Sequence, residues 1–443
     1  MQEKDLVGES KMLLLVGIIV SVITLEIAII RIYGFVNPAE LLTFILSIFT
    51  IGILVCCFGH VYFSHQLTKL VNKFGKVKTG SKEVLSYVIG LQIFIVSFMI
   101  VLLYQILILL SYSLILISSI FLISYLFGII NLIFVSLKFI KWTLSRPNYV
   151  LVVNTLAVLT IMINVIFALF MVVDGLPYQP PSIPWDMGPV HYSYKSIFLL
   201  PYQISSIIAF IGIWVAVTVL LKNYSNRIGT KKFWIFMSIP MVYFLAQFQP
   251  YLLNLIITFT QSEASTVAVV YTSLFGVSKT IGAILFGYAF WNTSKMVYQT
   301  EVRKYLRMAA YGLTLLFVSN QATSILNYLF PPSGVLAVSF LGISSFMFLI
   351  GLYYSALSVA NDLQLRHSVR ISVKNELALI SKMADAEMEN RIKGKIVRAT
   401  KRLSYELVNE TGVEATLSDS EIVEYTIKAI NEVKATRQTS KNS

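Results

Sequence analysis

Long apolar runs separated by short cationic links fill residues 12–360. Ten runs are long enough to cross a bilayer, which takes roughly 20 helical residues for about 30 Å of hydrocarbon. They cover 12–33, 39–63, 84–109, 114–137, 149–173, 196–221, 233–260, 266–291, 308–330 and 335–360. The stretch 84–137 holds no charge over 54 positions. As one helix it would be about 81 Å long at 1.5 Å per residue. It must therefore fold back, and Ser111-Tyr112-Ser113 is the predicted turn. The first run ends at Arg31 without a small-residue cleavage site, so it reads as a retained span.

The links decide orientation. One side carries Lys69, Lys73, Lys76, Lys78 and Lys82, then Lys138, Lys141 and Arg146, then Lys222, Arg227, Lys231 and Lys232, then Lys295, Arg303, Lys304 and Arg307. Lys4 and Lys11 fall on that side too, against only Arg31 and Lys195 on the other. Cytoplasmic loops are enriched in Lys and Arg, so both termini are expected in the cytoplasm of a cell-membrane protein.

After residue 360 the pattern changes. Residues 361–443 carry 14 Lys/Arg and 12 Asp/Glu. Ile380, Ala384, Met388, Ile392, Ile396, Ala399, Leu403 and Leu407 recur at steps of three or four, an amphipathic helical stripe. This helix is expected to continue the last span and to stop near Thr411-Gly412. Ser418 and Glu421 form a capping-box pattern for a second short helix. The expected architecture is an all-α polytopic bundle over 1–360 and a cytoplasmic helical tail over 361–443. The stripe would be covered by coiled-coil-like pairing with a second copy, or by a cytoplasmic protein, through residues 376–410.

Composition agrees with the runs. The chain has 443 residues, 56% hydrophobic and 13% charged, with a mean hydropathy of +0.75. Soluble domains are about 25% charged, so the lipid bilayer is the expected solvent. The net charge of +13 does not point to nucleic acid, because the cations sit in short loops and form no basic groove with interleaved aromatics. Cys56 and Cys57 are adjacent within a run and give neither a disulfide framework nor metal spacing. The longest outer loop, 174–195, is rich in proline and tyrosine and reads as a ligand-binding cap or an interfacial connector. Its Asp174, Asp186 and His191 match no metal pattern, and no metal or other cofactor is expected.

Only two charged residues lie deep inside the runs, Glu26 and Lys279. A central Lys costs about 2.5–3.5 kcal/mol on an insertion scale. Lys279 must therefore face protein, water or a counter-charge. One reading is a Glu26–Lys279 pair on a polar pathway joined by Gln247, Gln249, Asn254, Asn320 and Gln321, with Pro240 and Pro250 kinking the seventh run. The other is a structural ion pair that fixes helix register. LAQFQPYLLN (245–254) and VSNQATSILN (318–327) echo each other, as paired-span duplication would produce.

Nucleotide-binding glycine loops, HExxH and GxSxG are absent, and no catalytic residue is assigned. His60 and His65, at a basic helix end, are expected at the membrane interface. GLYYSALSVANDLQLRHSVR and ETGVEATLSDSEIVEYTIKAINEV, within 335–434, resemble the C-terminal part of multi-pass membrane proteins of ammonia-oxidising archaea without an assigned function. The resemblance implies a membrane protein and brings no activity. The expected role is that of a membrane sensor or scaffold with a partner-docking tail, or else a small-solute transporter or channel; an enzyme is not expected.

Overall fold

The structure is a computed structural model. It describes residues 2–33, 38–74, 80–178, 196–222, 225–248, 274–297, 300–320, 330–332, 334–362 and 378–411, with isolated positions between 256 and 271 and beyond 420. The helices are α1 (Gln2–Tyr33), α2 (Pro38–Phe74), α3 (Gly80–Tyr104), α4 (Leu114–Ser145), α5 (Tyr149–Gly175), α6 (Leu199–Leu221), α7 (Ser225–Ile228), α8 (Thr230–Ala246), α9 (Ser278–Lys295), α10 (Thr300–Ser319), α11 (Val335–Ser339), α12 (Leu341–Asn361) and α13 (Ala378–Thr411).

Eight helical segments among the described residues are long and apolar enough to cross a membrane, and each falls on a predicted run. The other two runs are described only in part. In 233–260, α8 is only 17 residues long, and the Phe248 amide turns back to the Leu245 carbonyl. Pro240 inside this helix removes one backbone donor. In 308–330, α10 begins earlier, at Thr300, so Glu301, Arg303, Lys304 and Arg307 belong to the helix itself. Residues 321–329 lie outside the described part.

The fold-back near Ser111 is present. The end of α3 loosens into a π turn over Gln105–Leu109, and Leu110 takes left-handed backbone (φ 48°). The Gln105 side-chain carbonyl then accepts the Ser113 amide at 2.9 Å, just before α4 begins. A buried-side partner for that amide compensates for the broken helix ladder.

The bundle is built around α12. In the span Val335–Asn361, 94% of the apolar window is buried, against 28% in α2 and α3. The last span packs along α10, α4 and α13, while α5 pairs with α6 and α9 with α10. Glycines make the α10–α12 contact close. A Cβ on Gly312 would lie 2.5 Å from the Phe348 amide nitrogen, and one on Gly351 would strike the backbone of Tyr305 and Ala309. Small residues permit such approach where lipid provides no hydrophobic drive between helices. The outward faces carry exposed Phe44, Leu54, Phe58, Ile100, Ile115, Phe134, Ile235 and Val242. A bundle embedded in lipid is expected to have this surface.

The tail does not continue the last span. Asp362 is extended (φ −106°, ψ 113°) and ends α12; α13 restarts at Ala378 and ends at Thr411, before Gly412. Its first turns pack on the bundle. Leu379, Met383 and Ala386 join the main core, and Ile380 and Ala384 meet Val297, Val302, Leu306 and Val359. Beyond Asn390 the stripe residues Ile392, Ile396 and Leu403 are exposed. Of the predicted helix after Ser418 only Glu421, Glu424, Tyr425 and Lys428 are described, and each is helical.

Candidate functional site

Lys279 opens α9 and is buried. Its ammonium donates to the backbone carbonyl of Asn320 at 2.6 Å and to the Tyr202 hydroxyl at 3.4 Å. Asn320 immediately follows α10, so the ammonium sits against that helix's negative end. The Asn320 side-chain amide donates to Asn164 Oδ1 at 2.7 Å. Asn164 in turn donates to Ser205 Oγ at 3.0 Å and to the Tyr202 carbonyl at 3.3 Å. The Tyr202 hydroxyl donates to the same Asn320 carbonyl at 3.3 Å. Residues from α5, α6, α9 and the end of α10 thus share one buried polar cluster.

Glu26 belongs to a different network. Its Oε1 accepts the Gly334 amide at 3.0 Å, and the Leu336 and Ala337 amides also face the carboxyl. These are the free N–H groups that open α11, where the helix dipole favours an anion. Glu26 and Lys279 form no ion pair. The expected pair is replaced by two helix-end contacts: the lysine meets the end of α10, and the glutamate the start of α11. Sequence depth placed both correctly in the bundle interior, but helix ends supply opposite partial charge without any acidic or basic letter.

Of the remaining predicted pathway residues only Gln247 is described, and it joins neither network. Gln247 donates back to the Phe244 carbonyl at 2.9 Å. Gln249, Asn254 and Gln321 lie outside the described residues. The Pro240 kink region is braced from α6, where the Trp214 indole donates to the Met237 carbonyl at 2.7 Å. Asp174 accepts the Ser196 hydroxyl at 2.6 Å, while Asp186 and His191 are outside the described part. Among the described residues no three His, Cys, Asp or Glu side chains gather as a metal site.

His60 corrects the interfacial expectation. It is fully buried, with Nδ1 2.7 Å from Gln92 Oε1 and Nε2 3.2 Å from the Ser339 hydroxyl. Its ring stacks on Phe340 with centroids 4.2 Å apart. Asn131 of α4 likewise donates to Ser345 Oγ at 3.1 Å and to the Gly342 carbonyl at 3.3 Å. Glu26, His60 and Asn131 therefore all clamp the first turns of the last span. The available signal for His60, Asn131 and Asn164 was their presence inside otherwise apolar runs.

The tail forms the second cluster. Arg146, at the end of α4, pairs with Asp385 at 3.0 Å and Glu389 at 3.2 Å. The Trp142 indole donates to Glu387 at 3.0 Å, and Ser145 donates to Asn390 at 2.6 Å. An acidic face of α13 is thus fixed to a cationic end of the bundle. Neither cluster contains a nucleophile paired with a base. The first can hold a polar or anionic group beside a buried cation; the second can hold a helix.

No protein-family model matches this sequence, and no curated protein or solved structure is significantly similar to it.

Proposed function

We propose that the chain is a multi-pass membrane sensor or scaffold whose tail presents a docking helix at the cytoplasmic face. The supporting observation is the division of α13. Its start is bonded to the bundle through Asp385, Glu387, Glu389 and Asn390, while Ile392, Ile396 and Leu403 face outward from the remainder. A helix held at one end carries movement of α4 and α12 to whatever covers its free stripe. The positive-inside bias puts both termini and α13 in the cytoplasm. The partner is a cytoplasmic protein or a second copy of the chain, bound through the distal part of 376–410.

The test is a double change, Ile396→Glu with Leu403→Glu, in the full chain. The expected result is loss of self-association or of a co-purified protein, read by native mass spectrometry, with the melting temperature of the bundle unchanged. Wild-type protein that is monomeric and alone at every concentration would remove the reading's support.

Transport of a small solute is the second reading. It is favoured by the end of α10 at Asn320 against a buried lysine, since helices interrupted at buried ion sites are a transporter feature. Flux in proteoliposomes that Lys279→Leu abolishes is its expected signature, and absence of any flux counts against it.

A further inference from the structure

The Lys279 cluster is short of negative charge. The side chain is 6% exposed, and both its hydrogen-bond partners, the Asn320 carbonyl and the Tyr202 hydroxyl, are neutral. No carboxylate lies within ion-pair distance of it among the described residues. The end of α10 offers at most about half an elementary charge. An ammonium has three donors, and two of them are engaged.

Asn320 Oδ1, within the same cluster, is buried with no hydrogen-bond partner among the described residues, and so are the hydroxyls of its chain neighbour Ser319 and of Ser278 and Thr280, the chain neighbours of Lys279. Native interiors leave few such groups, and each calls for an explanation. A buried ammonium with only neutral partners, close to an amide carbonyl that has no partner among the described residues, supplies the donor and acceptor of a polar anion site.

We propose that the Lys279–Asn320–Tyr202 cluster binds a small monoanionic oxyanion that carries a hydroxyl of its own, the class of hydrogencarbonate and short hydroxycarboxylates. The single charge follows from a single ammonium, because a dianion would leave excess charge buried in low dielectric. Oxygen atoms on the anion accept from the ammonium. The anion's own hydroxyl donates to Asn320 Oδ1, which a halide or acetate cannot do. The proposal goes beyond the sensor or scaffold reading and holds equally if the ion is a signal or a transported solute.

The experiment measures thermal unfolding of the full chain in lipid nanodiscs, at constant ionic strength, against glycolate, hydrogencarbonate, acetate, sulfate and chloride. Glycolate or hydrogencarbonate is expected to raise the melting temperature saturably, with apparent affinity about tenfold or more above that for sulfate and chloride. Acetate is expected to fall between. Lys279→Met should abolish the response. Should that variant fail to fold, Asn320→Asp provides the second arm, since it places a carboxylate beside the ammonium. That variant should lose the response at least tenfold. A wild-type protein indifferent to all five ions, an equal response to sulfate, or an unchanged response in Asn320→Asp would each overturn the proposal.

Discussion

The indole of Trp142 and the carboxylate of Glu387, 245 positions apart in the chain, are joined by a 3.0 Å hydrogen bond in which Trp142 donates. Both side chains are buried, at 1% and 7% exposure. Arg146, one turn further along α4, closes on Asp385 and Glu389. Tail and bundle therefore share one polar interface.

Breaking that interface is expected to release α13. Arg146→Glu should expose residues 378–391 to protease and to hydrogen exchange. Because Arg146 is about a third exposed, each of its ion pairs contributes only about 0.5–1 kcal/mol after solvent screening. The combined change Arg146→Glu, Asp385→Arg and Glu389→Arg should restore protection. Unaltered exchange across 378–391 in Arg146→Glu would show that Leu379, Met383 and the Trp142–Glu387 and Ser145–Asn390 hydrogen bonds hold the tail without the ion pairs.

Glu26 is expected to act as a helix cap. Glu26→Ala leaves the buried Gly334 amide unpaired and should cost about 1–3 kcal/mol. Glu26→Gln retains an acceptor and should cost less than half as much. Thermal melts of the two variants in detergent check the order, and equal melting temperatures would argue that the carboxylate does not hold α11.

The α10–α12 seam is expected to be intolerant of volume. Gly312→Ala and Gly351→Ala each push a methyl group into facing backbone, and overpacking of this kind costs about 1–3 kcal/mol. Gly17→Ala and Gly90→Ala meet nothing within 4 Å and serve as controls that should melt as wild type does. A melt series over the four variants reads the contrast directly.

His60 is expected to be a structural bridge. His60→Leu removes both ring nitrogens and strands the Gln92 side-chain carbonyl, while the Ser339 hydroxyl keeps its bond to the Leu336 carbonyl, a loss of about 1–3 kcal/mol. His60→Gln should recover part of it. The check is the yield and melting temperature of folded protein for the two variants.

Hydropathy located the helices well because a span's length and depth are written in consecutive letters. The fold-back at Ser111–Ser113 followed from length in the same way. What hydropathy does not encode is azimuth and partnership. Glu26 and Lys279 look like a pair because both are charged and both are deep. Their true partners are the Gly334 amide and the Asn320 carbonyl, groups that every residue possesses. The start of α10 was misplaced because its first turns are charged and resemble a loop. His60 looked interfacial because Lys69 and His65 follow it, whereas α2 runs unbroken to Phe74 and keeps His60 well inside.

The near-complete enclosure of Val335–Asn361 has a consequence for biosynthesis. The segment around which the others are arranged follows every other candidate span among the described residues. Earlier helices must wait in the bilayer with their inward surfaces unfilled, and closure of the assembly is deferred until residues 335–361 have been made. Chains arrested before residue 335 would then be substrates for membrane quality control, however well their individual helices have inserted.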